Sequence, residues 1–236
     1  LQSSNALPGV AGIGDRLTLT VVSNEAIVVP QSVTLAGLAG EIAPLSDNGF
    51  TAKVIVTAAA LQGPVQFNLV LADIAGNLRA AVTQQAVAAI EVDSLAPTAL
   101  IQEIVLSNDT GSSASDGITT ASDQTLTARI SQSLNSGERL FFTADGSNWQ
   151  DISDHIDESY ISLALTLAEG LNTLQWRVVD GAGNIGATTS YQAELDTTAP
   201  TVTAGSFSLS ADSGSSGSDA LTQTASQTLQ AQLTAE

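Results

Sequence analysis

The stretch Asn172-Thr-Leu-Gln-Trp-Arg-Val-Val-Asp-Gly-Ala-Gly-Asn184 decides the fold of this 236-residue chain. In its first part Leu174, Trp176 and Val178 lie two residues apart with polar residues between them, which is typical of a strand buried on one face. Its last five residues, Asp180 to Asn184, are rich in turn formers and predict the tip of a hairpin. The stretch therefore indicates a β-hairpin that packs against a core.

The same pattern occurs earlier in the chain. Phe67, Leu69 and Leu71 alternate in front of Asp73-Ile-Ala-Gly-Asn77, so aligning the two turns places the apolar residues of both copies in register. Each turn is followed by Asp-x-x-Ala-Pro, at Asp93 to Pro97 and at Asp196 to Pro200. Because proline restricts its own backbone and that of the preceding residue, these segments predict short, semi-rigid linkers. The repetition indicates a chain of similar modules.

Both repeats are filled with short segments that alternate apolar and polar residues, and signals for helices are weak. About six or seven strands in roughly 85 residues fit the Ig-like β-sandwich, so the sequence predicts an all-β fold of tandem Ig-like domains. The main predicted strands are Arg16–Val22, Ser32–Ala36, Phe50–Val56, Val65–Leu71, Ala80–Ile90, Leu100–Leu106, Leu126–Ile130, Arg139–Thr143, Tyr160–Leu167 and Asn172–Val179.

A third copy begins after the second linker. Asp109-Thr-Gly-Ser-Ser-Ala-Ser-Asp116 returns as Asp212-Ser-Gly-Ser-Ser-Gly-Ser-Asp219, at the same spacing of 103 residues that separates Pro97 from Pro200. We divide the chain into a linker (1–8), a first module (9–95), a second module (96–197) and an incomplete third copy (198–236). Two strands do not make a stable sandwich in water, so we expect that the natural chain continues or that these strands complete a sheet in another chain.

The composition restricts the possible functions. The chain has 24 acidic and 6 basic residues, a net charge of −18, which disfavours nucleic acid and anionic membranes as partners. It has no Cys and one histidine, His155, so thiol and His-centred catalysis are not expected and we predict that it is not an enzyme. No apolar run reaches the roughly 18 residues needed to cross a bilayer. The absence of Met, even at position 1, indicates a processed chain or an internal segment.

Strand order predicts where the repeated aspartates meet. In a seven-strand sandwich the loop after the first strand and the outgoing linker share one end of the module, and the last hairpin lies at the other end. We therefore expect Asp109 and Asp116 beside Asp196, and Asp180 beside Asp93. Ca²⁺ binds roughly 6–8 oxygen ligands, which carboxylates at such junctions can offer, although solvated turns without metal remain an alternative.

These repeats resemble the bacterial Ig-like domains of giant Gram-negative surface adhesins, a type I secreted class linked to biofilm formation. The motifs that carry the resemblance are Asp109-Thr-Gly-Ser-Ser-Ala-Ser-Asp116-Gly-Ile-Thr119, Asp180-Gly-Ala-Gly-Asn184 and Asp196-Thr-Thr-Ala-Pro200. The resemblance implies an extracellular stalk on the bacterial cell surface, with Ca²⁺ between neighbouring repeats. The positions that match as metal ligands are Asp93, Asp109, Asp116, Asp180, Asp196, Asp212 and Asp219. The first module lacks the Asp-x-Gly-Ser-Ser-x-Ser-Asp loop, so there Asp73 and Asp93 carry most of the case, with Asp15 in the first loop.

The expected function is that of a Ca²⁺-stiffened spacer in an adhesin, with neighbouring repeats of the same chain as partners. The alternatives are a filament or matrix subunit that exchanges strands with other copies of itself, and a carbohydrate-binding module. Trp149 and Trp176 are expected in the core, and an exposed Trp149 would favour a sugar-binding face. We interpret His155 with Asp151, Asp154 and Asp157 as a solvated acidic bulge rather than as a metal or acid–base site.

Overall fold

The computed structural model describes residues 1–46, 48–83, 89–201 and 207–231. Within these ranges the chain consists of β-strands joined by turns, with one 3₁₀ turn at Ser153–His155. The sequence-based prediction of an all-β fold built from Ig-like sandwiches is confirmed. Among the described residues no helix is long and apolar enough to cross a lipid bilayer.

The first module has one regular sheet and one fragmented sheet. Its strands, as far as they are described, are β1 (Gln2–Ser3), β2 (Val10–Ala11), β3 (Arg16–Val22), β4 (Ile27–Val28), β5 (Thr34–Leu35), β6 (Leu38–Ala39), β7 (Glu41–Ser46), β8 (Gly49–Ile55), β9 (Gly63–Pro64), β10 (Ala72–Asp73) and β11 (Glu91–Val92). The regular sheet has the order β1-β3-β8-β7, and the other layer consists of β2-β11-β9 and the pairs β4–β10 and β5–β6. Leu17 and Phe50 from the regular sheet and Leu35 from the other are fully buried in one core.

The second module is a more regular sandwich. Its strands are β12 (Ile101–Leu106), β13 (Ile118–Thr119), β14 (Asp123–Ile130), β15 (Arg139–Thr143), β16 (Gln150–Asp151), β17 (Ile156–Asp157), β18 (Tyr160–Thr166), β19 (Gly170–Val179) and β20 (Thr189–Leu195). They form two sheets with the orders β12-β14-β18-β17 and β13-β20-β19-β15-β16. Leu126 and Ile161 from the first sheet and Leu140 and Trp176 from the second are fully buried, so the core lies between the sheets.

Burial follows the alternation that the sequence predicts. In β19 the side chains of Leu174, Trp176 and Val178 point into the core, and the ring centroid of Trp176 lies 5.2 Å from that of Phe142 on the paired strand β15. Burying a large apolar side chain of this kind contributes about 1.5–3 kcal/mol to the free energy of unfolding. The counterparts in the first module, Phe67 and Leu69, are also buried.

The two repeated turns have the same backbone geometry. Asp180 N–H donates to the carbonyl of Asn184 and Gly183 N–H donates to the carbonyl of Asp180, both at 3.1 Å, and Gly183 has a φ of 88°. Asp73, Gly76 and Asn77 repeat this pattern, with a φ of 89° at Gly76. This is the type I turn with a glycine bulge of many hairpins, which requires a residue that tolerates the left-handed region.

The first module departs from the predicted strands in several places. The predicted strand Val65–Leu71 is not a regular ladder: Phe67 N–H donates to the carbonyl of Thr83, whereas Leu69 N–H donates to that of Val82. Two residues on one side thus oppose one on the other, which interrupts continuous pairing. The predicted strand Ala80–Ile90 runs through residues 84–88, which lie outside the described residues. The predicted linker at residues 1–8 contributes β1, which pairs with β3.

The expectation that Trp149 lies in the core is wrong. Trp149 is half-buried, and the guanidinium of Arg177 lies 4.0 Å from the centroid of its ring. It follows the turn at Asp145 and precedes β16, which is the edge strand of its sheet. A side chain at this edge reaches the module surface, where a cation can cover its aromatic face.

The third copy forms a short hairpin within residues 207–231. β21 (Ser208–Leu209) pairs with β22 (Leu229–Gln230) so that Leu209 lies opposite Leu229. In the second module Leu106 lies opposite Leu126, which is the same pair 103 residues earlier. The repeat in the sequence is therefore also a repeat in strand register.

Candidate metal site and module junction

The outgoing linker of the second module leaves beside the loop that carries the repeated aspartates. β13 runs parallel to the end of β20, and Asp196 N–H donates to the carbonyl of Thr119 at 3.0 Å. We call the end of a module that carries its outgoing linker the exit end. In the second module this end also carries the loop between β12 and β14. The expected placement of Asp109 and Asp116 at the exit end, together with Asp196, agrees with this topology.

The loop from Ser107 to Thr125 is held by a buried amide. The Gln124 side chain accepts from Asn108 N–H at 3.0 Å and donates to the carbonyls of Asn108 and Ala121 at 3.0 and 2.8 Å. The hydroxyl of Thr119, which is also buried, donates to the same Asn108 carbonyl at 2.6 Å. These bonds satisfy buried polar groups, so they fix the path of the loop and the position of the two aspartates on it.

Asp109 has one carboxylate oxygen bound and one without a partner. Its Oδ2 accepts from Gly117 N–H at 3.0 Å, whereas its Oδ1 is buried and has no hydrogen-bond donor. Asp116 Oδ1 accepts from Ile118 N–H at 3.1 Å. A buried carboxylate oxygen without a donor is energetically unfavourable unless another group supplies positive charge. The donor set at this end therefore fits a hard cation.

The phenol of Tyr191 reports on the negative charge of this loop. Burial raises the pKa of Tyr191 above its usual value of 10.0, and the nearby carboxylates of Asp109 and Asp116 raise it further. The side chain packs on the core of the second module and passes close to Gly117, where an added Cβ would lie 3.2 Å from the phenol oxygen. Tyr191 thus connects the acidic loop with the folded sandwich.

The third copy repeats the main hydrogen bonds of this loop at equivalent positions. Gln227 takes the place of Gln124 and donates to the carbonyls of Ala211 and Thr224, at 2.8 and 3.0 Å. Asp212 Oδ2 accepts from Ala220 N–H at 3.0 Å, and Asp212 Oδ1 is again buried without a donor. Asp219 Oδ1 accepts from Leu221 N–H. The loop keeps its geometry even where the described part of the third copy is only a hairpin.

The exit end of the first module is built differently. In place of the long loop it has a short turn that ends at Asp15. Asp15 Oδ2 accepts from Gly12 N–H at 2.8 Å and from the side-chain amide of Asn5 at 2.6 Å. Its Oδ1 accepts from the hydroxyl of Ser4 at 3.0 Å. Both oxygens of this carboxylate therefore have hydrogen-bond donors from the protein, unlike those of Asp109.

The repeated turn of the second module contacts this exit end. The side chain of Asn184 accepts from Ile13 N–H and donates to the carbonyl of Asp93, each at 2.8 Å. The amide of Asn5 donates to the carbonyl of Ala182 at 2.8 Å. Asn184 and Ala182 are buried in this contact. The predicted proximity of the Asp180 turn to the Asp93 linker thus agrees with the structure.

The aspartates of the two repeated turns bind their own backbone. Asp180 Oδ1 accepts from Ala182 N–H and Asn184 N–H, and its Oδ2 accepts from the Asn184 side chain. Asp73 makes the equivalent bonds to Ala75 and Asn77, and those with Asn77 come first among the causes that lower the pKa of Asp73. In both turns the carboxylate stabilises the hairpin tip.

The described residues contain no group of three or more Asp, Glu, His or Cys side chains close enough to hold a metal ion. The assignment of Asp73, Asp93, Asp109, Asp116, Asp180, Asp196, Asp212 and Asp219 as ligands stays a prediction. Asp109 and Asp212 fit a cation, because each has a buried carboxylate oxygen that accepts no hydrogen bond. Asp15 and Asp180 do not, because each oxygen already accepts a hydrogen bond.

The acidic segment around His155 follows the edge strand β16. Ser153–His155 forms the 3₁₀ turn, and both Asp154 and His155 are exposed there. Hydrogen bonds from the hydroxyl and backbone N–H of Ser153, with the nearby Arg139, lower the pKa of Asp151 to about 2. The nearby turn is held by Asp145, whose pKa is lowered by bonds from Asn148 and Ser147. Asp151 has structural partners, and Asp154, His155 and Asp157 are exposed, which agrees with the interpretation as a solvated bulge.

The side-chain amides that organise both ends of the second module were not identified from the sequence. Gln124 stands at an inward position of β14, two residues before Leu126, so the period of two could have identified it as buried. Asn184 belongs to the repeated turn, but only its turn-forming role was recognised. Nothing in the sequence distinguishes Asn5, because its partners Asp15 and Ala182 are brought together by folding.

The match to a protein family covers the second module. Residues 96–197 match the family of the bacterial Ig-like domain. The matched range coincides with residues 96–197 of the second module. It includes the Asp109 loop, the Asp180 turn and Asp196. No curated protein matches the chain.

Several solved structures are similar to the chain at low identity. The fibronectin(III)-like modules of Clostridium thermocellum CbhA are 15% identical, with 83% of this chain and 94% of that chain covered and a TM-score of 0.38. A Bacteroides ovatus glucan-utilisation protein, SGBP-B, solved with a mixed-linkage heptasaccharide, is 14% identical over 88% of this chain and 48% of that chain, with a TM-score of 0.21. The human OSCAR ligand-binding domain is 14% identical over 80% and 96%, with a TM-score of 0.26. At these TM-scores none of the three bears on what this chain binds.

Proposed function

We propose that this chain is a non-catalytic spacer of an extracellular bacterial adhesin, in which tandem Ig-like modules hold a distal binding region away from the cell surface. The match of residues 96–197 to the bacterial Ig-like domain supports this role. So does the repetition of strand register and turn geometry from one module to the next. A spacer needs repeated modules with defined ends, and these features supply both.

The proposal includes Ca²⁺ at the exit end of the second module. The residues that would hold it are Asp109, Asp116 and Asp196, with Asp212 and Asp219 as counterparts of the first two in the third copy. Ca²⁺, when bound, supplies positive charge that offsets these carboxylates and restrains the linker that leaves at Asp196. The observation that carries the proposal is the buried, donor-free Oδ1 of Asp109 and its recurrence at Asp212.

Tyr191 provides a direct test of this site. The chain has two tyrosines, so the substitution Tyr160→Phe leaves Tyr191 as the single phenol in an absorbance titration. We expect Ca²⁺ to lower the pKa of Tyr191, because a cation beside Asp109 and Asp116 offsets charges that raise it. Calorimetric titration with Ca²⁺ at neutral pH gives a second readout.

The matched variants are Asp109→Asn and Asp154→Asn. Asp109→Asn should abolish the response of Tyr191 to Ca²⁺, whereas Asp154→Asn, in the exposed 3₁₀ turn, should preserve it. An identical Tyr191 titration with and without Ca²⁺, together with no heat of binding, would overturn the Ca²⁺ site.

A second candidate function is assembly by strand exchange. Phe207, Leu221 and Leu229 in the third copy are each more than half exposed, so this hairpin has apolar surface that further strands could cover. Sedimentation of the purified chain over a range of concentrations separates the two functions. A spacer stays monomeric, whereas exchange of strands between chains produces a dimer or a polymer whose fraction rises with concentration.

A further inference from the structure

We infer that the orientation of the first module relative to the second is set by two asparagine side chains, Asn5 and Asn184, and does not require a metal ion. At this junction a backbone N–H and a backbone carbonyl at the exit end of the first module bind the repeated turn of the second module. We call Asn5, Asn184 and their hydrogen bonds across the junction the bracket. The bracket is separate from the Ca²⁺ site proposed above, which lies at the other end of the second module, so an experiment can disprove one proposal and leave the other standing.

Asn184 uses its whole amide group in the contact. Its Oδ1 accepts from Ile13 N–H in the first module, and its Nδ2 donates both to the carbonyl of Asp93 and to its own Asp180 Oδ2. The side chain is 3% exposed, so these bonds are shielded from water. A buried amide with all of these groups satisfied fixes position and direction, because each lost bond leaves an unpaired polar group.

Asn5 closes the bracket from the other module. Its Nδ2 donates to Asp15 Oδ2 and across the junction to the carbonyl of Ala182, and its Oδ1 accepts from Leu7 N–H. The NH₂ group of each of the two asparagines thus lies between one carboxylate and one backbone carbonyl. This is the place that a bridging cation would take, and neutral donors already fill it.

The linker reinforces the same geometry. Asp93 N–H donates to the carbonyl of Ala11 at 3.0 Å, and the buried Ser94 is hydrogen-bonded through its N–H and its hydroxyl to the side chain of Gln62. On the other side Pro97 packs so close to Gly186 that an added Cβ would lie 2.6 Å from the Pro97 carbonyl oxygen. The linker is therefore anchored on both modules, and the bracket fixes the remaining freedom of rotation.

Spin-label distances in the full chain test the inference. Because the chain has no cysteine, Lys53→Cys on β8 and Ser162→Cys on β18, both at exposed positions, place one label on each module. We expect a narrow distance distribution that is the same in Ca²⁺ and in EDTA. In the Asn184→Ala variant the distribution should broaden in both conditions, and Asn5→Ala should broaden it as well.

The matched control is Asn77→Ala. Asn77 makes the same bonds to Asp73 within its own turn, but it is exposed at the opposite end of the first module. It therefore reproduces the loss of a turn amide without touching the junction, and circular dichroism shows whether each variant is folded. A wild-type distribution that broadens in EDTA, or a folded Asn184→Ala variant with an unchanged distribution, would overturn the inference.

Discussion

The side-chain oxygen of Asn184 accepts a hydrogen bond from the backbone N–H of Ile13 at 2.8 Å, across 171 residues of sequence and from one module to the next. Asn184 is also the last residue of the turn that identifies the repeat. One residue therefore closes its own hairpin and attaches that hairpin to the preceding module. The substitution of this asparagine would affect domain orientation before it affects the fold of either sandwich.

Gly12 is predicted to be essential for the same junction. A Cβ added at Gly12 would lie 2.3 Å from the carbonyl oxygen of Ala182 and 3.0 Å from its carbon, and both atoms belong to the backbone. We expect Gly12→Ala to separate the modules and to weaken the junction by about 1–3 kcal/mol, since two or three hydrogen bonds are lost. Small-angle scattering should show a broader range of shapes. Gly181→Ala is the control, because its Cβ would meet nothing closer than 3.9 Å.

Gln124 is predicted to stabilise the second module through the acidic loop. Its buried amide holds the carbonyls of Asn108 and Ala121 and the N–H of Asn108. The substitution Gln124→Ala leaves these groups without partners, so the free energy of unfolding in urea should fall by about 2–4 kcal/mol. Gln102→Ala, at an exposed position on β12, should change it little. Equal effects of the two substitutions would contradict this role.

The stability of the second module is predicted to fall at alkaline pH through Tyr191. Its pKa in the folded state is raised above 10.0, so its contribution is fully present below the unfolded value and is lost as pH rises through the folded one. In the absence of metal, Asp116→Asn should reduce this loss, because it removes one of the charges that raise the pKa. Urea unfolding at neutral and alkaline pH measures the difference. If Asp116→Asn left this pH dependence unchanged, the result would count against an effect of the Asp116 charge on Tyr191.

Ser153 is predicted to control the titration of Asp151. Its hydroxyl and N–H are the first causes of the low pKa of Asp151, about 2. The contribution of Asp151 to stability is therefore present above its unfolded value of about 3.8 and is lost as pH falls through about 2. Ser153→Ala should raise the pKa of Asp151, as measured by NMR titration of its carboxyl carbon. Ser147→Ala, beside Asp145, should leave it unchanged.

Several features of the fold could be predicted because they depend on neighbours in the sequence. The alternation in β19 identified Leu174, Trp176 and Val178 as buried, since successive side chains of a strand point to opposite faces. The expectation of a core position was wrong for Trp149, which directly precedes an edge strand and is half-buried beside Arg177. The alternation also did not show that Phe67 and Leu69 pair irregularly, because register depends on the opposing strand.

The sequence by itself determined that this protein contains successive β-sandwich modules, where the two repeated hairpin turns lie, and which aspartates recur at a spacing of 103 residues. Those properties follow from local backbone preferences and from the period of two in a half-buried strand. Only the tertiary structure decided that Asn5 and Asn184 join the first two modules, and that Asp109 keeps a buried oxygen free while Asp15 does not. The reason is physical: a hydrogen bond forms where folding brings donor and acceptor within about 3 Å, whatever their distance along the chain.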